Sequence, residues 1–215
     1  MKKLFVPFID QQTADIDAEK VASLMTLLPI HLIDHQAWPQ FKTDLQAGFR
    51  IAHNNDAILL RYEVGENAIG VTTFETNGSV HNDNCVEFFV SFGAEQSYYN
   101  IEINCAGIAL IAYGAARSNR TFLPKELVEK IEVHSIIKTS GVDQKARYAW
   151  EISLIIPKEI FMHSNLTTLG HQTGHGNFFK CGDDLPEPHF YSWTSIEAEE
   201  PNFHLPQFFG ALEFG

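Results

Sequence analysis

The sequence predicts an all-β fold, an antiparallel β-sandwich of the immunoglobulin or jelly-roll kind with one or two short peripheral helices. Three observations carry this. Short apolar runs recur along the chain, at about 48–53, 57–64, 68–75, 85–92, 97–104, 107–113, 131–138, 147–156, 176–180, 188–194 and 209–214. Turn formers such as Asn54-Asn55-Asp56 and Asn77-Gly78 join them, which suits antiparallel hairpins. In two of the runs the side chains alternate with the period of a strand.

Taken in order, the first element is a helix. Val21, Leu24, Met25 and Leu28 follow i, i+3, i+4, i+7 spacing, Asp17 stands at the N-cap position and Pro29 ends the run. Its single apolar stripe predicts packing on the outside of a sheet. A second helical turn is predicted over 125–130, introduced by Pro124. No repeat, low-complexity tract or Pro- or Ser-rich linker divides the 215 residues, so 1–215 reads as one domain. Trp150 shares a face with Tyr148, Ile152 and Leu154 and reads as core. Trp38, before Pro39, reads as an anchor at the start of the sandwich.

The alternating strands suggest a function. In 98–105, Tyr99, Ile101, Ile103 and Cys105 form a core face, and Tyr98, Asn100, Glu102 and Asn104 a polar one. In 85–92, Val86, Phe88, Val90 and Phe92 oppose Cys85, Glu87, Phe89 and Ser91, so a neighbouring Glu87 joins the ladder of Asn100, Glu102 and Asn104. Sugar hydroxyls both donate and accept, and are read by such carboxylates and amides. Aromatic rings cover the C–H faces of the sugar, and Trp193 and Tyr98 are the candidate platforms. The alternative is the solvated face of a half-exposed sheet.

Charge narrows the partners. Fifteen Lys and Arg against 27 Asp and Glu leave a net charge of −12. That field repels phosphate backbones and anionic lipid surfaces, which excludes nucleic acid and membrane partners. Hydrophobic residues make up 45% of the chain, enough for a sizeable core. Met1-Lys2-Lys3 is followed by Pro7, Asp10, Gln11 and Gln12, which break an export signal. The reading is cytoplasmic, or extracellular or periplasmic if a leader has been lost. Cys85, Cys105 and Cys181 are read as reduced structural thiols.

Other chemistries compete for the same residues. Glu87 and Glu102 on adjacent strands would suit a sugar-acting hydrolase, since retaining glycosidases hold two carboxyl groups about 5 Å apart. His163, His171, His175 and His189 lie close in sequence, but Gly174 and Gly176 place the His171/His175 pair in a loop. Asp183, Asp184 and Glu187 are candidate hard-oxygen ligands for calcium, without the spacing of a regular calcium loop. A haem reading would rest on Met162 beside His163.

The run Asp83-Asn84-Cys85-Val86-Glu87-Phe88-Phe89-Val90, followed by Tyr98-Tyr99-Asn100-Ile101-Glu102-Ile103-Asn104, resembles the family 9 carbohydrate-binding modules, in particular a bacterial family 9-like group. Supporting stretches are Ala149–Pro157, Gly176–Asp183 and Tyr191-Ser192-Trp193, so the resemblance extends from about residue 30 to the C-terminus. It implies a lectin-like sandwich that holds a terminal sugar between two aromatic rings, and structural calcium in some members. By motif, Glu87 matches an acid and Asn104 an amide of the sugar site. Trp193 matches the second aromatic, Glu102 stands where a basic residue is expected, and the first aromatic falls near His81. The resulting expectation is non-catalytic binding of a mono- or oligosaccharide by Trp193, His81, Glu87, Tyr98, Asn100, Glu102 and Asn104, with no required cofactor. A carbohydrate-active enzyme is the expected partner, and a protein-interaction domain that has lost sugar binding is the alternative.

Overall fold

The computed structural model describes residues 1–141 and 147–215. Two sheets face each other. The first runs β1 (Lys3–Val6), β13 (Gly210–Phe214), β11 (Thr173–Gly182), β5 (Cys85–Phe92), β6 (Tyr98–Asn104), β7 (Ala109–Gly114) and β8 (Thr121–Phe122), with β12 (His189–Ser192) also on β11. The second runs β2 (His31–Leu32), β3 (Gln46–His53), β4 (Ala57–Glu66), β10 (Arg147–Pro157) and β9 (Glu132–Ser140). Among the described strands the pairs are antiparallel apart from β1 on β13, a parallel pair that joins the two ends of the chain.

The predicted alternation holds. Tyr99, Ile101, Ile103 and Cys105 enter the core with Val86, Phe88 and Val90, and Phe49, Tyr62, Trp150 and Ile152 meet them from the second sheet. Phe178 is stacked between Phe49, 3.6 Å away, and Phe88, 4.6 Å away. Each such side chain contributes about 1.5–3 kcal/mol by leaving water. One end of this core is polar. Lys180, fully buried, places Nζ 3.2 Å from Glu66 Oε2 and donates to His189 Nε2 and the Cys181 carbonyl, both at 2.8 Å. Glu66 also accepts from Trp150 Nε1.

Helix α1 (Ala18–Met25) is capped by Asp17, whose side chain accepts from the Lys20 N–H at 2.8 Å. It lays Val21 and Met25 on Ala52, Leu59 and Ile155, the outer face of the second sheet, as its stripe predicts. The second helix is a single turn, α2 (Lys125–Val128).

One expected strand is absent. Among the described residues, 68–75 pair with no strand, and side chains take the place of a sheet neighbour. Asn84 Oδ1 accepts from the Gly70 N–H, and the Asp83 carboxylate accepts from the Thr72 and Thr73 N–H groups. β1, β2 and β8 are additional edge strands that the sequence pattern does not reveal.

Candidate functional site

The outer face of β5, β6 and β7 is not a solvated ladder. Glu87, Asn100 and Glu102 are at most 5% exposed, because three connections rise around them. The 3-10 turn Val80–Asn82 brings His81, the β7–β8 connection brings Arg117, Asn119 and Arg120, and the segment after β12 brings Pro201, Asn202, Phe203 and His204. Together with Cys181, Asp183 and Phe190 they enclose a pocket of about 430 Å³. Trp38, Phe179, Phe203 and Phe209 pack beside it as a second apolar cluster on this face.

The floor is a fixed polar row. Glu87 and Glu102 are directly opposed across β5 and β6. Asn100 donates from Nδ2 to Glu102 Oε1 at 2.8 Å and accepts from Arg120 Nε at 2.7 Å. Arg120 lies over the Tyr98 ring, 4.4 Å from its centroid, and donates to the carbonyls of Tyr98, Ala112, Gly114 and Ala116. That set of donors fixes the loop above the row. Glu102 Oε2 is buried and accepts no hydrogen bond among the described residues. His81 Nδ1 stands 3.5 Å away and pairs with it as an ion when the imidazole is protonated.

Electrostatics differ along the row. Burial holds Glu87 well above the usual carboxylate range, reinforced by Cys181 and Glu102. The facing Glu102 carboxylate raises the His81 imidazole above its ordinary value, against the downward pull of partial burial. Burial pushes Asp183 up to about 6.

His204 shares a hydrogen bond with the Tyr98 hydroxyl at 2.9 Å, and burial, with Arg120 nearby, lowers its pKa to about 4. His189 is lowered to about 4 by burial and by Lys180. Its Nε2 therefore accepts from Lys180 while Nδ1–H donates to the Glu187 carbonyl. Each folded pKa lies below the ordinary 6.5, so each stabilising contribution is full above pH 6.5 and lost as pH falls toward 4. The slope is at most about 1.4 kcal/mol per pH unit for each group. Imidazole NMR is expected to show two of the ten histidines staying neutral down to about pH 4.

The structure brings together His81, Glu87, Asn100 and Glu102, four of the predicted site residues. Three others are elsewhere. Trp193 is 1% exposed and points into the sandwich, edge-on to Phe49 and Phe178, so it offers no platform to a ligand. Asn104 is fully buried and structural: Nδ2 donates to Asp83 Oδ2 and the Thr73 carbonyl, and Oδ1 accepts from the Ala106 and Ile108 N–H groups. Tyr98 lies beneath Arg120, fully buried, and supports the floor without lining it.

The acids Asp183, Asp184 and Glu187 do not make a calcium cage. Among the described residues, the group whose ligand atoms converge is Cys85, Glu87 and Cys181. Asp183 lines the pocket, whereas Asp184 and Glu187 are exposed. The clustered histidines disperse too: His163 stacks on Tyr113 at 4.6 Å, and His189 belongs to the buried Lys180 group. Met162 is 50% exposed.

Sequence reasoning missed Arg117, Asn119 and Arg120, which lie in a loop without periodicity. It also missed Phe190, Phe203 and His204. For Phe190 a signal existed. Along 189–193 the period of two puts Phe190 on the face opposite Tyr191 and Trp193.

The model of Carbohydrate-binding family 9 matches residues 17–214. No curated protein matches the chain. Among solved structures, a candidate carbohydrate-binding protein from Bacteroides uniformis is 36% identical, with a TM-score of 0.90 over 100% of this chain and 99% of the other. A family 9 module from Caldicellulosiruptor kristjanssonii in complex with cellotriose is 12% identical, with a TM-score of 0.59 over 99% of this chain and 93% of that one. A glucose complex of a family 9 module from the same organism is 11% identical, with a TM-score of 0.57 over 100% and 96% of the two chains. At those identities the last two share the fold.

Proposed function

Because the chain belongs to carbohydrate-binding family 9, we propose that it binds a mono- or oligosaccharide, without transforming it, in the pocket over β5–β7. The observation that carries this reading is Glu102 Oε2, a buried acceptor at the floor of a pocket that makes no full hydrogen bond among the described residues and has only His81 Nδ1 near it, at 3.5 Å. Leaving such a group unpaired costs about 1–3 kcal/mol, and more for a charged one, so a ligand hydroxyl gains by filling it. Around it stand donors of the kind that sugar hydroxyls accept from: the Asn100 amide, His81 and the exposed Arg117. Phe190 and Phe203 supply apolar surface for ring C–H groups, a role the indole of Trp193 does not reach. The volume falls within the roughly 300–1,000 Å³ of small-ligand sites.

Calorimetric titration with glucose, cellobiose and cellotriose is expected to give saturable binding. Glu102→Gln should weaken it about 10- to 100-fold, the equivalent of one hydrogen bond to a charged group. Absence of heat with any of the three sugars, or an unchanged Kd in Glu102→Gln, would count against the site. Turnover of an aryl glycoside that disappears in Glu87→Gln would instead favour a hydrolase using the opposed Glu87 and Glu102. The three buried free thiols support a reducing cytoplasm as its location, where imported oligosaccharides and the enzymes that act on them would be its partners.

A further inference from the structure

The wall of the pocket holds a group that saccharide recognition does not require. Cys85 and Cys181 are directly opposed across β5 and β11. Glu87, two residues further along β5, projects from the same face. One ligand atom from each of the three residues lies within 4.8 Å of the other two, and the Cys181 thiol donates to Glu87 Oε1 at 3.1 Å. All three side chains are buried, yet Cys181 and Glu87 form part of the pocket lining, so an ion entering the pocket meets them directly. Sulfur is a weak partner for sugar hydroxyls, and a lining built for hydroxyls alone has no use for a thiol pair.

We propose that Cys85, Cys181 and Glu87 form a binding site for a thiophilic divalent cation of the zinc type. Two thiolates favour zinc or cadmium over calcium or magnesium, which take oxygen ligands. In a tetrahedral zinc site, bonds of about 2.3 Å to sulfur and 2.0–2.2 Å to oxygen put neighbouring ligand atoms about 3.5–3.8 Å apart. With Cys181 Sγ and Glu87 Oε1 at 3.1 Å and all three atoms within 4.8 Å of one another, small side-chain rotations bring the group to that spacing. Adjacent strands fix the Cα positions, so little ordering is needed. Three protein ligands leave a fourth position for water or for a group entering through the pocket. Ligation replaces the thiol and carboxyl protons with the ion. This site goes beyond the saccharide reading and stands without it, because Glu102, Asn100 and Arg117 are not among its ligands.

The test uses reduced, chelator-treated whole protein titrated with Cd²⁺. A thiolate-to-metal charge-transfer band in the ultraviolet should saturate at one equivalent and be displaced by Zn²⁺. Cys85→Ser and Cys181→Ser should each lose it, Glu87→Gln should weaken binding about tenfold or more, and Cys105→Ser should leave it unchanged. The wild type alone provides a second readout that does not depend on variants folding. Zinc K-edge absorption of the loaded protein should show two sulfur neighbours at about 2.3 Å. No band, a band that survives in the Cys85→Ser/Cys181→Ser double variant, or a zinc shell of nitrogen and oxygen alone would overturn the proposal.

Discussion

Glu66→Ala is expected to lower the free energy of unfolding by about 3–5 kcal/mol, read from urea unfolding followed by tryptophan fluorescence. Lys180 has no exposed surface, and Glu66 Oε2, 3.2 Å from Nζ, is the carboxylate that balances it. Without Glu66 the ammonium group keeps the Cys181 carbonyl and His189 Nε2, but its charge is stranded in the core. Trp150 Nε1 loses its acceptor at the same time. Glu66→Gln keeps an acceptor for Trp150 but takes away both the charge and the oxygen beside Lys180, so it should cost nearly as much. The double variant Glu66→Gln/Lys180→Met should recover most of the loss, since a buried pair replaced as a pair is often tolerated. A loss below about 1 kcal/mol in Glu66→Ala would mean that water, and not the carboxylate, solvates Lys180.

Trp193→Ala is expected to cost about 3 kcal/mol, near the lower end for deleting a large buried aromatic. The ring meets Phe49 and Phe178 edge-on, with centroids 6.0 and 5.7 Å away. It also fills the space above Gly210, where an added Cβ would lie 2.5 Å from the indole. Lys2 covers its remaining face, 4.9 Å from the centroid. The loss is moderated because Trp193 Nε1 has no hydrogen-bond partner among the described residues, so its removal also relieves an unpaired polar group. The Kd for a saccharide, measured well below the lowered Tm, should change by less than about threefold in this variant, equivalent to under 1 kcal/mol. That result would separate Trp193, which holds the sheets together, from Glu102, which lines the pocket. A tenfold loss of affinity in folded Trp193→Ala would place the indole in the binding site after all.

Much of the fold is legible because its central strands are long and alternate strictly. The predicted 85–92 run coincides with β5, and the opposite faces of β6 follow from Tyr98 to Asn104 read in twos. Asp17 and the apolar stripe are enough to place α1 against a sheet. The remainder depends on contacts distant in sequence. Residues 68–75 have a strand-like composition, but their N–H groups are taken by Asp83 and Asn84, ten or more positions away. The polar row on β5 and β6 is legible as a row, but its burial depends on loops whose composition says nothing about where they fold. Arg120 is the clearest case. Nothing around Ala115-Ala116-Arg117-Ser118 announces that a guanidinium two residues later will bridge Asn100 and four backbone carbonyls. Trp193 misleads for a related reason: alternation separates it from Phe190, but alternation alone does not say which face is the interior.

The parallel pair β1–β13 sets how this fold would respond to a pull on its two ends. Lys3 lies beside Ala211 and Val6 beside Phe214, so residue 1 leaves from the end of the pair opposite to residue 215. Tension between the two ends therefore runs along the strands in opposite directions. The hydrogen bonds of the pair are stretched together in shear and cannot be peeled apart one by one. The pocket on β5–β7 lies outside that pair, so such a pull would load β1 and β13 before the strands that line it.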